Sequence, residues 1–459
     1  MLSSPCYSDP LALIGNTPMV ELTHLDTGLC RLFVKLENQN PGGSIKDRIG
    51  LSMIEAAEQE GKLKPGGTLV EATAGNTGLG LALVAANRGY RLILVIPDKM
   101  AQEKVFHLKA LGAEVRITRS DVGKGHPEYY QDMAEQLAGA IPGAYYINQF
   151  ANPANPLAHE RTTGPEIWEQ MHHELDAVVC GIGSGGTLTG LGRYFRRIAP
   201  HVEMILADPQ GSILAPYVET GKIGEAGSWV VEGIGEDFIP PLADLSLVNQ
   251  AITISDTESL MTARLLLRQE GILGGSSSGT LVAAALRYCR SQGASKRVVT
   301  FICDSGNKYL SKMYNDFWMI DQGFIERERY GDLRDLITRR HSEGATLTVG
   351  PEDTLLTTYN RMRISDVSQL PVLAGEKVVG IVDESDILLA IYRQHGQFSD
   401  PVHSAMSAKL ETLNVDAPLS ALLPIFNQDK VAIVMENGNF LGLITRIDML
   451  NYLRRQTKQ

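Results

Sequence analysis

The residues best placed to do chemistry begin with a lysine set just past a proline and two glycines. The run Asn40-Pro41-Gly42-Gly43-Ser44-Ile45-Lys46-Asp47-Arg48 follows a strand-like segment, Leu32 to Leu36. It precedes a helical pattern with Ile49, Met53, Ile54 and Ala57 on one face. The turn therefore delivers Lys46 to a helix start, where unpaired N–H groups and the positive end of the dipole disfavour an ammonium charge. A lysine kept as a neutral amine can form a Schiff base with a carbonyl compound. The plainer alternative is a solvated Lys-Asp-Arg cluster on a first helical turn.

Three glycine-rich loops accompany it. Thr73-Ala74-Gly75-Asn76-Thr77-Gly78 lies between a strand pattern (68–72) and a helix pattern (80–88), the place where open α/β sheets bind ligands. Its N–H groups suit a carboxylate, although Asn and Gly also make ordinary turns. Gly181-Ile182-Gly183-Ser184-Gly185-Gly186-Thr187 is formally a G-x-G-x-x-G, and Asp208 ends the next strand where a ribose-binding acid would stand. A dinucleotide site and a cradle for a single phosphate at a helix N-terminus both fit it. Gly274-Gly275-Ser276-Ser277-Ser278-Gly279 opens a long apolar helix, and a simple N-cap serine would account for it.

The elements that must position these loops alternate along the chain. Strand patterns at 91–96, 114–117, 177–180, 203–207 and 298–302 are nearly continuous apolar runs separated by helical patterns. That is the signature of a parallel sheet covered on both faces. The segment 321–335 is charged and irregular, which suits a linker. Beyond it the chain repeats itself. Gly380-Ile381-Val382-Asp383-Glu384-Ser385-Asp386 matches Gly442-Leu443-Ile444-Thr445-Arg446-Ile447-Asp448, each copy reading strand, tight turn, strand, helix. The expected division is a catalytic domain over 1–320, a linker over 321–337, and repeats over 338–398 and 399–459.

Composition narrows the class. The chain has 459 residues with a formal net charge of −11, so two or more domains are expected and a nucleic-acid partner is not. The N-terminus lacks a signal-peptide pattern, and no apolar run is long enough to span a bilayer. Five dispersed cysteines, Cys6, Cys30, Cys180, Cys289 and Cys303, read as reduced thiols rather than disulfides or zinc ligands, so no metal site is expected. The expected setting is the cytoplasm.

The lysine and the three loops, in that order, resemble the fold-type II pyridoxal-phosphate enzymes of the cysteine synthase and cystathionine β-synthase group, over roughly residues 8–320. The repeated tail resembles a CBS-domain pair, or Bateman module. The resemblance implies an α/β fold of two open twisted subdomains with the cofactor in their cleft, followed by that pair. It implies that Lys46 holds pyridoxal 5'-phosphate as a Schiff base and removes the substrate's Cα proton. Asn76 would hydrogen-bond the cofactor's phenolic oxygen, Gly183, Ser184, Gly185, Gly186 and Thr187 would hold its phosphate, and Ser276 would face its pyridine nitrogen. Thr73, Ala74, Asn76, Thr77 and Gln149 would bind the substrate carboxylate. A serine, unlike a carboxylate, does not keep the ring nitrogen protonated, which weakens the electron sink and favours loss of a β-substituent.

Val231-Glu232-Gly233-Ile234-Gly235-Glu236-Asp237-Phe238 resembles the motif of the cystathionine-forming members, in which Glu232 would recognise the amino group of an incoming amino-acid thiol. Gln149-Phe150 and Asn40-Pro41-Gly42 look more like cysteine synthases, and Ala74 stands where most relatives have serine. The haem-bearing extension of vertebrate members has no counterpart before Ile14-Gly15-Asn16-Thr17-Pro18, so no haem is expected. In CBS pairs a Thr-x-x-Asp arrangement holds an adenosine ribose, which assigns Thr445 and Asp448 to S-adenosylmethionine or an adenine nucleotide. Capping of the last helix is the alternative. The resulting expectation is a homodimer or tetramer that condenses L-serine with L-homocysteine to cystathionine and water, makes hydrogen sulfide from cysteine, and is regulated through its tail. The rivals are a cysteine synthase using O-acetylserine and sulfide, and an adenine-nucleotide sensor on an inactive catalytic scaffold.

Overall fold

The computed structural model describes residues 6–73, 75–98, 102–123, 125–393 and 396–457. Contacts divide the chain into two units, Met1–Tyr314 and Asn315–Gln459.

The first unit is built on two sheets. One has four parallel strands in the order β5-β4-β3-β6, formed by β3 (Thr68–Ala72), β4 (Arg91–Pro97), β5 (Glu114–Thr118) and β6 (Ala144–Tyr146). Side chains alternate across it: Leu69, Leu92 and Leu94 enter the core on one face, and Val70, Ile93 and Val95 enter that on the other. Burial on both faces is why these strands read as unbroken apolar runs. The other sheet has the order β1-β2-β10-β7-β8-β9. Its strands are β1 (Met19–Leu22), β2 (Arg31–Lys35), β7 (Ala177–Cys180), β8 (Glu203–Pro209), β9 (Gln250–Ile254) and β10 (Arg297–Phe301). It is parallel throughout except for the β1–β2 pair.

The helix Lys46–Gln59 buries Ile49, Met53, Ile54 and Ala57, the face its spacing predicts. Each large aliphatic buried this way contributes roughly 1.5–3 kcal/mol; a charged residue at Met53 would break the contact. Its partner is the helix Asn76–Arg88, which approaches so closely that a Cβ on Gly80 would lie 2.7 Å from the Lys46 carbonyl oxygen. Two glycines, Gly50 and Gly80, thus let one helix backbone seat directly on the other beside Lys46.

The second unit contains both repeats. The first carries the hairpin β11 (Gln369–Ala374) and β12 (Lys377–Asp383) with the helix Glu384–Arg393. The second carries β13 (Thr412–Asn414), β14 (Ala432–Glu436), β15 (Asn439–Ile444) and the helix Arg446–Thr457. Both hairpins shift register at equivalent places, between Val372 and Leu373 and between Val434 and Met435. The repeat extends to this bulge.

Both ends of the expected linker over 321–337 are built into the second unit. The helix Asp316–Gln322 packs on Arg446–Thr457. Leu333, Leu336 and Ile337 are buried with Leu422, Phe426, Val434 and Ile444. The charged residues between these apolar anchors hide them from a reading by composition.

Candidate active site

Several chain segments converge at the carboxyl ends of the parallel strands, around a cavity of about 880 Å³. Lys46, Thr73, Asn76, Thr77, Gln149, Gly183–Thr187 and Glu232 all line it. Ala74 lies outside the described residues. Ser276 is buried, but its Oγ accepts the Glu232 N–H at 3.0 Å, and its neighbour Ser277 lines the wall. Successive residues of a first helical turn point about 100° apart, a rotation that Ser-Ser-Ser leaves ambiguous in sequence.

Lys46 is the first residue of its helix. The turn before it is braced by Asp47, whose carboxylate accepts the Gly42 N–H at 2.6 Å. Burial lowers the Lys46 pKa, against the opposing pull of Cys303 and Glu236, so the amine is predisposed to the neutral form. Behind it lies a buried charge network. Arg48 donates to both oxygens of Glu37 at 2.8 Å and to both of Glu166 at 2.7 Å. Lys35 meets Glu166 at 2.9 Å. Two cations and two anions satisfy one another, which fixes the helix start that carries Lys46.

The Asn76 loop is held by a second polar hub. Asn76 Nδ2 donates to Asp304 Oδ2 at 2.9 Å, and Asn76 Oδ1 accepts from Lys308 Nζ at 2.7 Å. The Tyr309 hydroxyl donates to the same Asp304 oxygen at 2.9 Å. One Asn76 N–H remains for a ligand. Thr77 Oγ1 donates to Gln149 Oε1 at 2.7 Å, a brace between two residues assigned to the substrate carboxylate.

The Gly181–Thr187 loop leads into the helix Gly186–Ile198. A Cβ on Gly186 would lie 1.8 Å from Asn155 Oδ1, and one on Gly183 would lie 2.6 Å from the Gly233 carbonyl oxygen. Only glycine brings these amides so close to the cavity. Asn155 Nδ2 donates to Ser184 Oγ at 2.9 Å, leaving the serine proton free to reach an anion. Thr187 Oγ1 lies 3.2 Å from His159 Nε2. Burial drives the His159 pKa down, so that ring is neutral. A glycine cradle at a helix N-terminus and a buried amine across the same cavity fit a phosphate-bearing aldehyde such as pyridoxal 5'-phosphate.

The dinucleotide alternative does not fit. Asp208 is buried, and its Oδ2 accepts the Ala215 N–H at 2.8 Å. It serves the following helix, and no ribose can reach it.

Glu232 sits between two lysines, Lys312 at 2.8 Å and Lys104. Burial alone would raise its pKa, but the two cations outweigh burial and lower it. Sequence reasoning missed both lysines. Lys104 stands on an ordinary-looking charged helix and Lys312 follows no motif; only the fold brings them to Glu232. Asp304, Lys308 and Tyr309 were within reach, because they lie on the loop after β10 at the sheet's carboxyl edge.

In the second unit, Asp448 Oδ2 accepts from both the N–H (2.8 Å) and the hydroxyl of Thr445 (2.5 Å). The first repeat has the equivalent brace: Asp383 N–H to Asp386 Oδ2 at 3.0 Å and Asp386 N–H to Asp383 Oδ1 at 2.8 Å. These are capping contacts. Among the described residues no cluster of His, Cys, Asp and Glu could hold a metal ion, and no helix is long and apolar enough to cross a membrane.

Residues 11–304 match the family model of pyridoxal-phosphate dependent enzymes, and residues 333–393 and 402–455 match that of the CBS domain. Over 97% of its length the chain is 36% identical to a cystathionine β-synthase of Dictyostelium discoideum, covering 92% of that protein. It is 38% identical over 97% of its length to one of Oryctolagus cuniculus, covering 84% of it. Among solved structures, a hydrogen sulfide-producing enzyme from Fusobacterium nucleatum superposes with a TM-score of 0.61 at 35% identity, over 66% of this chain and 100% of that one.

Proposed function

The chain belongs to the cystathionine β-synthase family of pyridoxal-phosphate dependent enzymes, and from that premise we propose that it condenses L-serine with L-homocysteine to L-cystathionine and water. As a member of that family it is a lyase that performs pyridoxal-phosphate-dependent β-replacement. The cofactor, when bound, supplies an electron sink for loss of the Cα proton and of the β-substituent.

The observation that carries the substrate assignment is the Lys104–Glu232–Lys312 cluster in the cavity wall. An amino-acid thiol carries an ammonium and a carboxylate, and this cluster offers both signs of charge. Sulfide carries neither group. Glu232 takes the ammonium, and the lysine it releases takes the carboxylate.

The other residues act in turn. Lys46, whose charged form burial disfavours, would anchor the cofactor and receive the Cα proton. Gly183, Ser184, Gly185, Gly186 and Thr187 would hold the cofactor's phosphate, and the remaining Asn76 N–H would serve its phenolic oxygen. Ser276, with Ser277 beside it, would give the ring nitrogen a neutral hydroxyl. Thr73, Asn76, Thr77 and Gln149 orient the serine carboxylate, so that Cα–H is presented to Lys46.

The same site releases hydrogen sulfide when cysteine replaces serine, since the first half-reaction needs only a β-leaving group; a solved neighbour is itself a hydrogen sulfide producer. The tail takes an adenosyl ligand through the second oxygen of Asp448 with Thr445, and the enzyme works as a homodimer. Calorimetry of the full chain with S-adenosylmethionine or AMP should give a binding heat that Asp448→Ala removes. Sedimentation should give twice the chain mass.

The deciding experiment compares kcat/KM for two substrate pairs. Serine with homocysteine should exceed O-acetylserine with sulfide. The reverse order would make the chain a cysteine synthase.

A further inference from the structure

The Val231–Pro240 loop brings a second acid into the cavity, one that neither cofactor binding nor thiol recognition employs. Glu236 lines the cavity, and its backbone is tied on both sides. Its N–H donates to Ser212 Oγ at 3.1 Å, and its carbonyl accepts from the Ile213 N–H at 3.0 Å and the Ser212 hydroxyl at 3.2 Å. The preceding Gly235 donates its N–H to the Ile182 carbonyl at 2.8 Å. The carboxylate itself has no hydrogen-bond or ion-pair partner among the described residues. It lies beside the phosphate loop, with Oε1 4.0 Å from the place a Cβ on Gly183 would occupy.

Serine poses a problem that such a group can solve. Hydroxide is a poor leaving group, and Lys46 is occupied with the Cα proton. We propose that Glu236 is the general acid that protonates the departing serine hydroxyl and then, as a carboxylate, accepts the thiol proton of homocysteine. In the first half-reaction the Cβ–O bond breaks, its electron pair leaves with oxygen, the Glu236 proton joins it, and water departs. In the second the S–H proton passes to Glu236 as the S–Cβ bond forms, which restores the carboxylic acid. Serine and homocysteine thus give cystathionine and water, with no change in Glu236. This role rests on the serine and homocysteine reading above.

The groups that face Glu236 set its protonation. Asp237 on its own loop and the buried Asp208 at the end of β8 disfavour its charge, Lys46 favours it, and Tyr129 and Tyr130 stand nearby as neutral phenols. Burial and Asp237 together push the carboxyl up to about 8. It therefore carries its proton at neutral pH and loses it as pH rises through that value.

The test uses the holoenzyme with L-serine and with β-chloro-L-alanine, whose chloride departs without a proton. In wild type, kcat/KM for serine should fall above pH about 8, while that for chloroalanine should not. Glu236→Gln, checked for wild-type cofactor content and visible spectrum, should lose about a hundredfold or more with serine and stay within about threefold with chloroalanine. Its serine profile should lack the basic limb. Infrared spectra of the cofactor-free protein should show a protonated carboxyl band that titrates near 8 in wild type and is missing from the variant. Equal losses with both substrates, or a basic limb that persists in Glu236→Gln, would overturn the role of Glu236 and leave the serine reading standing. A wild type inert towards serine would overturn both. If Glu236→Gln loses the cofactor, Glu236→Ala with added formate decides: restored serine turnover supports the proposal, and none refutes it.

Discussion

Replacing Arg48 by methionine removes the centre of the charge network behind Lys46. Glu37, wholly buried, would keep only the Thr17 hydroxyl at 2.7 Å and the Asn40 amide at 2.9 Å. Glu166 would keep Lys35 alone. Stranding one partner of a buried ion pair costs about 3–5 kcal/mol. In a unit that runs to Tyr314 each kcal/mol moves the melting midpoint by roughly 1.5 °C, so Arg48→Met should melt about 6 °C lower. Scanning calorimetry on the full holoenzyme measures this, with cofactor retention read from the visible band.

Because the cost lies in the stranded charge, Arg48→Met with Glu37→Gln should regain about half of the loss. The acid limb offers a second check. Burial would raise the Glu166 pKa, but Arg48 and Lys35 win and hold it at about 2. A depressed folded pKa means stability present above the unfolded value and lost as pH falls towards 2. Arg48→Met should flatten that limb. A single variant that melts within about 2 °C of wild type, or a double variant weaker than the single, would refute the network's role.

Lys46→Ala should leave the cofactor loosely held and removable by dialysis, with turnover lost by many orders of magnitude; retained activity in steady-state assays would refute the lysine's assignment. Gly186→Ala must displace Asn155, since the new methyl carbon would lie 1.8 Å from its Oδ1. Its dissociation constant for pyridoxal phosphate, read by fluorescence, should rise at least tenfold, about 1.4 kcal/mol. Glu232→Gln should raise the homocysteine KM about ten- to a hundredfold while leaving β-elimination from serine nearly intact. Equal loss in the two half-reactions would place Glu232 elsewhere in the cycle.

What the sequence reveals follows physical rules. Strands buried on both faces, such as β4, announce themselves as apolar runs, and glycine loops at their ends are visible because backbone amides need space. The helix Asn76–Arg88 starts one turn earlier than its apolar pattern, because a first turn rich in glycine reads as loop. Short strands such as β6 are too brief for a period to emerge. Side-chain direction is lost altogether: Ser276 and Ser277 are indistinguishable until a helix rotates them apart. The Lys104–Glu232–Lys312 cluster joins three distant segments, and only the packed sheet makes them neighbours.

The burial of Leu333, Leu336 and Ile337 among Leu422, Phe426 and Ile444 interleaves the tail in time as well as space. These residues leave the ribosome before any of the first repeat, yet the core they complete is finished only when the last hairpin and helix are made. The entire first repeat is the loop that must close before that core is sealed, an entropic delay that grows slowly with its length. Until then their apolar side chains are exposed, a window in which a chaperone or a second nascent chain can compete for them. The two repeats are thus one late-closing piece, and a chain cut between them would leave each half with surfaces made for the other.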